Sequence, residues 1–182
     1  MNDIQNWIIM NNNSARWSVD DRKLTVQVSE GNIWGYGSPE VENIFIKPVE
    51  QRKYSAQVDI NILPKRAYEQ AGLGIFWDSN NYIKISKEMF NDRLSLVFVT
   101  ERDGNPQVNS LVDYSERDVI VKLEKSDGLI TAFYRKSDED AWLKMGEAEA
   151  LPGSEQGVML YTFSGSQLDP TIATFENFTL DY

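Results

Sequence analysis

The chain holds 28 acidic and 18 basic residues in 182, a formal net charge of −10, with no histidine and no cysteine. Such a negative surface repels nucleic acid phosphates and anionic lipid, so neither nucleic acid nor membrane is expected as a partner. Without histidine there is no Ser-His-Asp or Cys-His nucleophile, and without either residue the usual zinc ligands are missing. The length fits one domain over residues 1–182, able to bury about 70% of its unfolded surface. The opening residues, MNDIQNW, lack the basic and apolar regions of a secretory signal. No apolar run approaches the roughly 18 residues of a spanning helix. A cytoplasmic location is the expectation.

In chain order, strand-like runs recur about every 8 to 15 residues with turn signals between them. Trp17, expected in the core, precedes residues 23–28, KLTVQV. Then comes Trp34-Gly35-Tyr36-Gly37, rich in aromatics and glycine and poor in strand character. Residues 54–60, YSAQVDI, alternate as a strand, and residues 64–69 are the best short helix candidate, with 147–150 as another. The richest stretch is 68–88. Ala71, Leu73, Ile75 and Trp77 fall on one face, expected in the core; Gln70, Gly72, Gly74 and Phe76 fall on the other. After a polar turn at 78–81, Ile83 and Ile85 alternate with Lys84 and Ser86. That is the period-2 pattern of a hairpin with one buried face. Two glycines on one face predict a smooth surface where a backbone or ligand comes close. Asp103-Gly104-Asn105-Pro106 and Asp127-Gly128 are hairpin turns, and Glu101 and Arg102 beside the first read as solvated. Residues 157–163, GVMLYTF, and 173–180, ATFENFTL, complete the strands. An all-β sandwich or barrel follows.

The QAGL at 70–73, the aromatic strand after it and the NYIK at 81–84 carry a resemblance. So do Trp17, the runs at 23–28 and 54–60, the SDGLITAFY at 126–134 leading to Trp142, and the closing 173–180. The chain resembles the concanavalin A-like β-sandwich domains that include the C-terminal domain of β-xylosidases and free-standing proteins of unknown function. The resemblance implies an all-β jelly-roll sandwich of two antiparallel sheets. It also implies a pairing of the strands near the two chain ends, 24–28 with 175–180, as outermost strands. Relatives of this kind bind sugars on a concave sheet or its rim, and many hold a structural Ca²⁺. Asp20, Asp21, Asp169 and Asp181 are available oxygen ligands for such an ion, without a spacing motif. No other cofactor is expected.

Catalysis finds little support. Glucanases of this fold carry Glu-x-Asp-x-Glu on one strand, and lyases a Gln-x-His; neither is present. The pairs Glu40/Glu42 and Glu147/Glu149 lack a third acid and read as solvated. Sugar binding needs flat aromatic rings and planar polar side chains converging in one place. Trp34 and Tyr36 are the strongest candidates, followed by Gln70 on the glycine face and by Tyr82 and Lys84 on the next strand. The expectation is a non-catalytic carbohydrate-associated module binding a neutral glycan on its concave face. Two alternatives stay open: a glycoside-processing enzyme with an unrecognised carboxylate pair, and a structural or protein-interaction domain. The oligomeric state is not readable.

Overall fold

The computed structural model describes residues 1, 3–36, 41–166, 169 and 171–182. Gly37 and Glu40, named above, lie outside the described residues. Fourteen strands are found among the described residues. In chain order they are β1 (Ile8–Met10), β2 (Trp17–Asp20), β3 (Lys23–Gln27), β4 (Ile44–Pro48), β5 (Tyr54–Asn61), β6 (Gln70–Asp78) and β7 (Asn81–Phe90). They continue with β8 (Arg93–Arg102), β9 (Asn105–Asp113), β10 (Asp118–Ser126), β11 (Leu129–Arg135), β12 (Leu143–Glu149), β13 (Gly157–Phe163) and β14 (Ile172–Asp181). Two antiparallel sheets of seven result. Sheet A runs β1-β4-β13-β6-β7-β8-β9 and sheet B runs β12-β11-β10-β5-β14-β3-β2. This is the two-sheet antiparallel sandwich the sequence implied.

The core lies between the sheets. Strand β5 shows the simple rule: Tyr54, Ala56, Val58 and Ile60 are buried while the residues between them are half-exposed. Sheet A opposes it with Leu73, Ile75, Ile83, Ile85, Leu96, Phe98 and Leu160. Trp77 joins this core, its indole N–H donating to Gly153 O at 3.1 Å. Trp17 packs edge-on against Phe45 at 5.4 Å. Trp142 instead lies over the charges of Lys122 and Arg135, 4.4 and 4.2 Å from its ring centroid.

Sheet A departs from the simple rule. Every residue of β13, and all but the last of β6, is buried. Both faces of these strands are covered, the outer one by the connection between β3 and β4. Ile33 and Val41 of that connection pack with Ile44, Ile46, Phe76, Tyr82, Met159, Tyr161 and Phe163 in a second apolar cluster. Each such side chain contributes about 1.5–3 kcal/mol when fully buried, so the connection is held down as a strap rather than left as a free loop.

Three expectations are corrected. Residues 64–69 form a turn and 147–149 belong to edge strand β12, so neither is helical; the only helical segments among the described residues are two three-residue 3₁₀ turns, Ile4–Asn6 and Ser14–Arg16. Strands β3 and β14 do pair, with Leu24 opposite Phe175, but they lie inside sheet B, because β2 takes the edge and β5 flanks β14. The glycine face of β6 is not open. A Cβ on Gly72 would stand 2.6 Å from Tyr161 Cε1, and one on Gly74 2.5 Å from Met159 Cε. The glycines make room for two side chains of β13, which occupy the space a ligand would need. No described helix is long and apolar enough to cross a membrane.

Candidate functional site

A pocket of about 980 Å³ opens on the outer face of sheet A, beneath one end of the strap. Its walls come from four places: the strap, the turn before β6, the end of β7 and the end of β13. The strap is fixed at its start by backbone bonds. Val28 N–H donates to Thr171 O at 2.8 Å, Ser164 N–H to Ser29 O at 2.9 Å, and Gly31 N–H to Ser164 O at 3.0 Å. Next, Asn32 folds over its neighbour: its Oδ1 accepts from Trp34 N at 2.8 Å and its Nδ2 donates to Trp34 O at 3.2 Å. This is the local side-chain turn that Asn favours. Gly35 then takes φ +89°, a conformation open to glycine at little cost.

Trp34 is 40% exposed and Tyr36 85%. Both line the pocket with Gln70. The strap therefore splits its residues: Ile33 and Val41 pack down, and the two aromatic rings face solvent. Tyr36 lies against the β8–β9 turn, where a Cβ on Gly104 would stand 2.7 Å from its Cδ2.

Below the pocket is a polar network. Gln70 Oε1 accepts from Lys84 Nζ at 2.7 Å and from Tyr161 OH at 2.8 Å. Its Nε2 donates to Tyr68 O at 3.0 Å and to Glu88 Oε2 at 3.2 Å. Ser86 Oγ donates to Glu88 Oε1 at 2.6 Å, and Lys84 Nζ lies 3.6 Å from the same oxygen. Burial pulls the Lys84 ammonium below its ordinary pKa, and the Glu88 charge holds it up. Burial raises the phenols of Tyr82 and Tyr161 well above their usual range, so both stay protonated donors. Tyr82 and Lys84 are 1% exposed and lie under the strap and the floor, off the pocket wall. They share a face with Gln70, as alternation required, and support the site from behind.

Glu101 corrects the reading of its turn as solvated. It is fully buried. Its Oε1 accepts from Gly35 N at 2.5 Å and from Tyr82 OH at 3.2 Å, while Oε2 has no partner. Burial raises its carboxyl, and the bonds from Gly35 and Tyr82 oppose the rise.

The pocket also holds residues that sequence reasoning missed. Glu88 and Phe90 continue the Tyr82, Lys84, Ser86 alternation, and following that period to the end of the strand would have found them. Tyr68 had no signal. It takes φ +57°, unusual for a bulky residue, and its phenol donates to Asn91 Oδ1 at 3.3 Å beside the edge of Phe90. Of the acids considered for catalysis, Glu42 lines the pocket but accepts from Ser29 and Asn13 and pairs with Arg16. Glu147 and Glu149 are on edge strand β12, away from it. No group of three His, Cys, Asp or Glu able to hold a metal is found among the described residues.

Solved structures with the same fold include the GH43 protein BlXynB from Bacillus licheniformis, at TM-score 0.81 and 18% identity, covering 97% of this chain and 36% of that one. A functionally unknown protein from Saccharomyces cerevisiae matches at 0.79 and 18%, covering 97% and 96% of the two chains. The carbohydrate binding module CBM66 from Bacillus subtilis matches at 0.65 and 13%, covering 97% and 96%. At these identities the likeness is one of fold, and the chain spans about a third of the GH43 protein's length. No curated protein matches. The family model described as a protein of unknown function, DUF1349, matches residues 10–181, and the chain belongs to that family.

Proposed function

We propose that this protein is a non-catalytic, carbohydrate-associated β-sandwich that binds a neutral glycan in the pocket on the outer face of sheet A. The observation that carries this reading is the convergence in one pocket of about 980 Å³ of exposed aromatic rings, Trp34 and Tyr36, with the polar side chains of Glu88 and Asn91, over a Gln70 amide held by four internal hydrogen bonds. Rings stack on the C–H faces of sugars, and planar polar groups meet hydroxyls. The walls carry Glu30, Glu42 and Glu88 and, among the described residues, no Lys or Arg, which disfavours acidic glycans. Glu42 and Glu88 are both engaged by internal partners, which suits fixed recognition better than proton transfer. Glycoside hydrolase and carbohydrate binding module structures among those of like fold point to the same class of ligand.

The test is a glycan array on the purified protein, followed by titration of any hit with tryptophan fluorescence. Saturable binding to neutral glycans is expected, abolished by Trp34→Ala or Tyr36→Ala with the melting temperature nearly unchanged. A blank array across neutral and acidic glycans would sink the proposal and favour a protein-interaction role.

A further inference from the structure

Four polar backbone groups around Trp34 are engaged by the protein itself. Ile33 O accepts from Tyr82 OH at 2.9 Å. Trp34 N and O are both taken by the Asn32 side chain. Gly35 N donates to Glu101 Oε1 at 2.5 Å. Tyr82 and Glu101 are register neighbours across β7 and β8, both essentially without exposure, and 3.2 Å apart at their oxygens. Two buried side chains of rigid strands thus grip the peptide groups on either side of one exposed indole.

We propose that Glu101 and Tyr82 are positioning residues that hold Trp34 as a lip presenting its indole to a ligand. A charge-assisted bond from carboxylate to backbone N–H is among the stronger hydrogen bonds, and pre-ordering a contact ring lowers the entropy lost on binding. With both backbone N–H donors of this stretch engaged and each of its carbonyls already accepting a bond, the lip meets a sugar chiefly through the face of its indole. Hydroxyl discrimination falls to the floor. A carboxylate has about four acceptor positions, and Glu88 fills two with hydrogen bonds from Ser86 and Gln70, with Lys84 as an ion-pair partner 3.6 Å away. The ligand half of this inference rests on the glycan reading above; the grip on Trp34 does not.

The experiment uses Glu101→Ala, Glu101→Gln and Tyr82→Phe, each also made with Trp34→Phe so that the Trp34 signal is obtained by difference. Acrylamide quenching of Trp34 and affinity for the best neutral glycan are read alongside thermal unfolding. Glu101→Ala is expected to raise Trp34 quenching severalfold and weaken the glycan about tenfold, while Glu101→Gln, which keeps the acceptor, stays near wild type in both. A change confined to melting temperature, with Trp34 quenching unmoved in Glu101→Ala, would overturn the proposal. If that variant fails to fold, Tyr82→Phe, which removes a single oxygen, decides by the same quenching readout. If the wild type binds no glycan, the glycan reading fails by itself and quenching still decides the grip.

Discussion

Gly72 and Tyr161 face each other across β6 and β13 so closely that a Cβ at 72 would stand 2.6 Å from Tyr161 Cε1 and 2.7 Å from its hydroxyl. The ring fills the space that any side chain at 72 would need, and its hydroxyl donates to Gln70 Oε1. Gly72→Ala is expected to cost about 1–3 kcal/mol, the usual penalty for overpacking. Gly74→Ala should cost less, since its nearest neighbour is the flexible end of Met159. Urea unfolding of both variants checks the order, and an equal or reversed order would contradict the packing described.

Lys84 and Glu88 form a buried pair under the pocket. Removing one partner of such a pair strands the other charge, at about 3–5 kcal/mol, whereas replacing both is milder. Lys84→Met and Glu88→Gln should each destabilise on that scale, and the double variant should fall well short of the sum. A double-mutant cycle by denaturant unfolding measures the shortfall; strict additivity would mean that the pair does not interact.

Lys87 gives a pH dependence. Its side chain is buried at the end of the sandwich, donates to Tyr114 O at 3.2 Å and lies 5.1 Å from the Tyr114 ring centroid. Burial lowers its pKa from 10.5 to about 8, with Glu116 opposing. Between these values the unfolded chain binds the proton more tightly, so stability rises with pH. The rise from Lys87 should be about 2 kcal/mol between pH 8 and 10. Lys84, lowered by burial too, acts in the same direction. Tyr114, raised to about 12, acts against it once pH passes the ordinary tyrosine range. Lys87→Met should flatten the slope in urea unfolding at pH 7.5, 8.5 and 9.5.

Glu101 has the opposite sign. A carboxyl raised by burial takes its proton in the folded state first, so its contribution falls as pH rises from the ordinary value of 4.5 through the raised one. Tyr82 and Lys84 pull the value down, and the Asp78 charge pushes it up. Glu101→Gln, neutral throughout, should match wild type near pH 4 and gain on it toward pH 7. Paired unfolding curves across that range would show the gap opening; a constant gap would mean that Glu101 titrates normally.

Much of the architecture could be read from period-2 patterns. The β6–β7 hairpin, its turn and the inward set through Trp77 follow from which residues alternate; the pairing of the strands near the two chain ends is what the family resemblance implies. What failed has one physical source. Alternation assigns one face to the core and leaves the other to solvent, and sheet A has its outer face covered as well. The glycines at 72 and 74 therefore looked open though side chains from β13 fill them. Glu101 looked solvated because its partner Gly35 is 66 residues away. Trp34, Tyr36 and Gln70 do meet in one pocket, since a loop rich in aromatics and glycine and a polar residue beside two glycines are visible locally. Tyr68 was hidden because nothing local announces a left-handed tyrosine.

The strap is tied at both ends, to Ser164 and Thr171 at one and through Asn11 to Val41 and Asn43 at the other. Within the strap Ile33 and Val41 are packed while Trp34 and Tyr36 are exposed, so exchange at the two exposed positions leaves the inter-sheet core undisturbed. Diversity of recognition on this scaffold should concentrate there, while Glu101 and Tyr82 act as the fixed socket into which each version plugs.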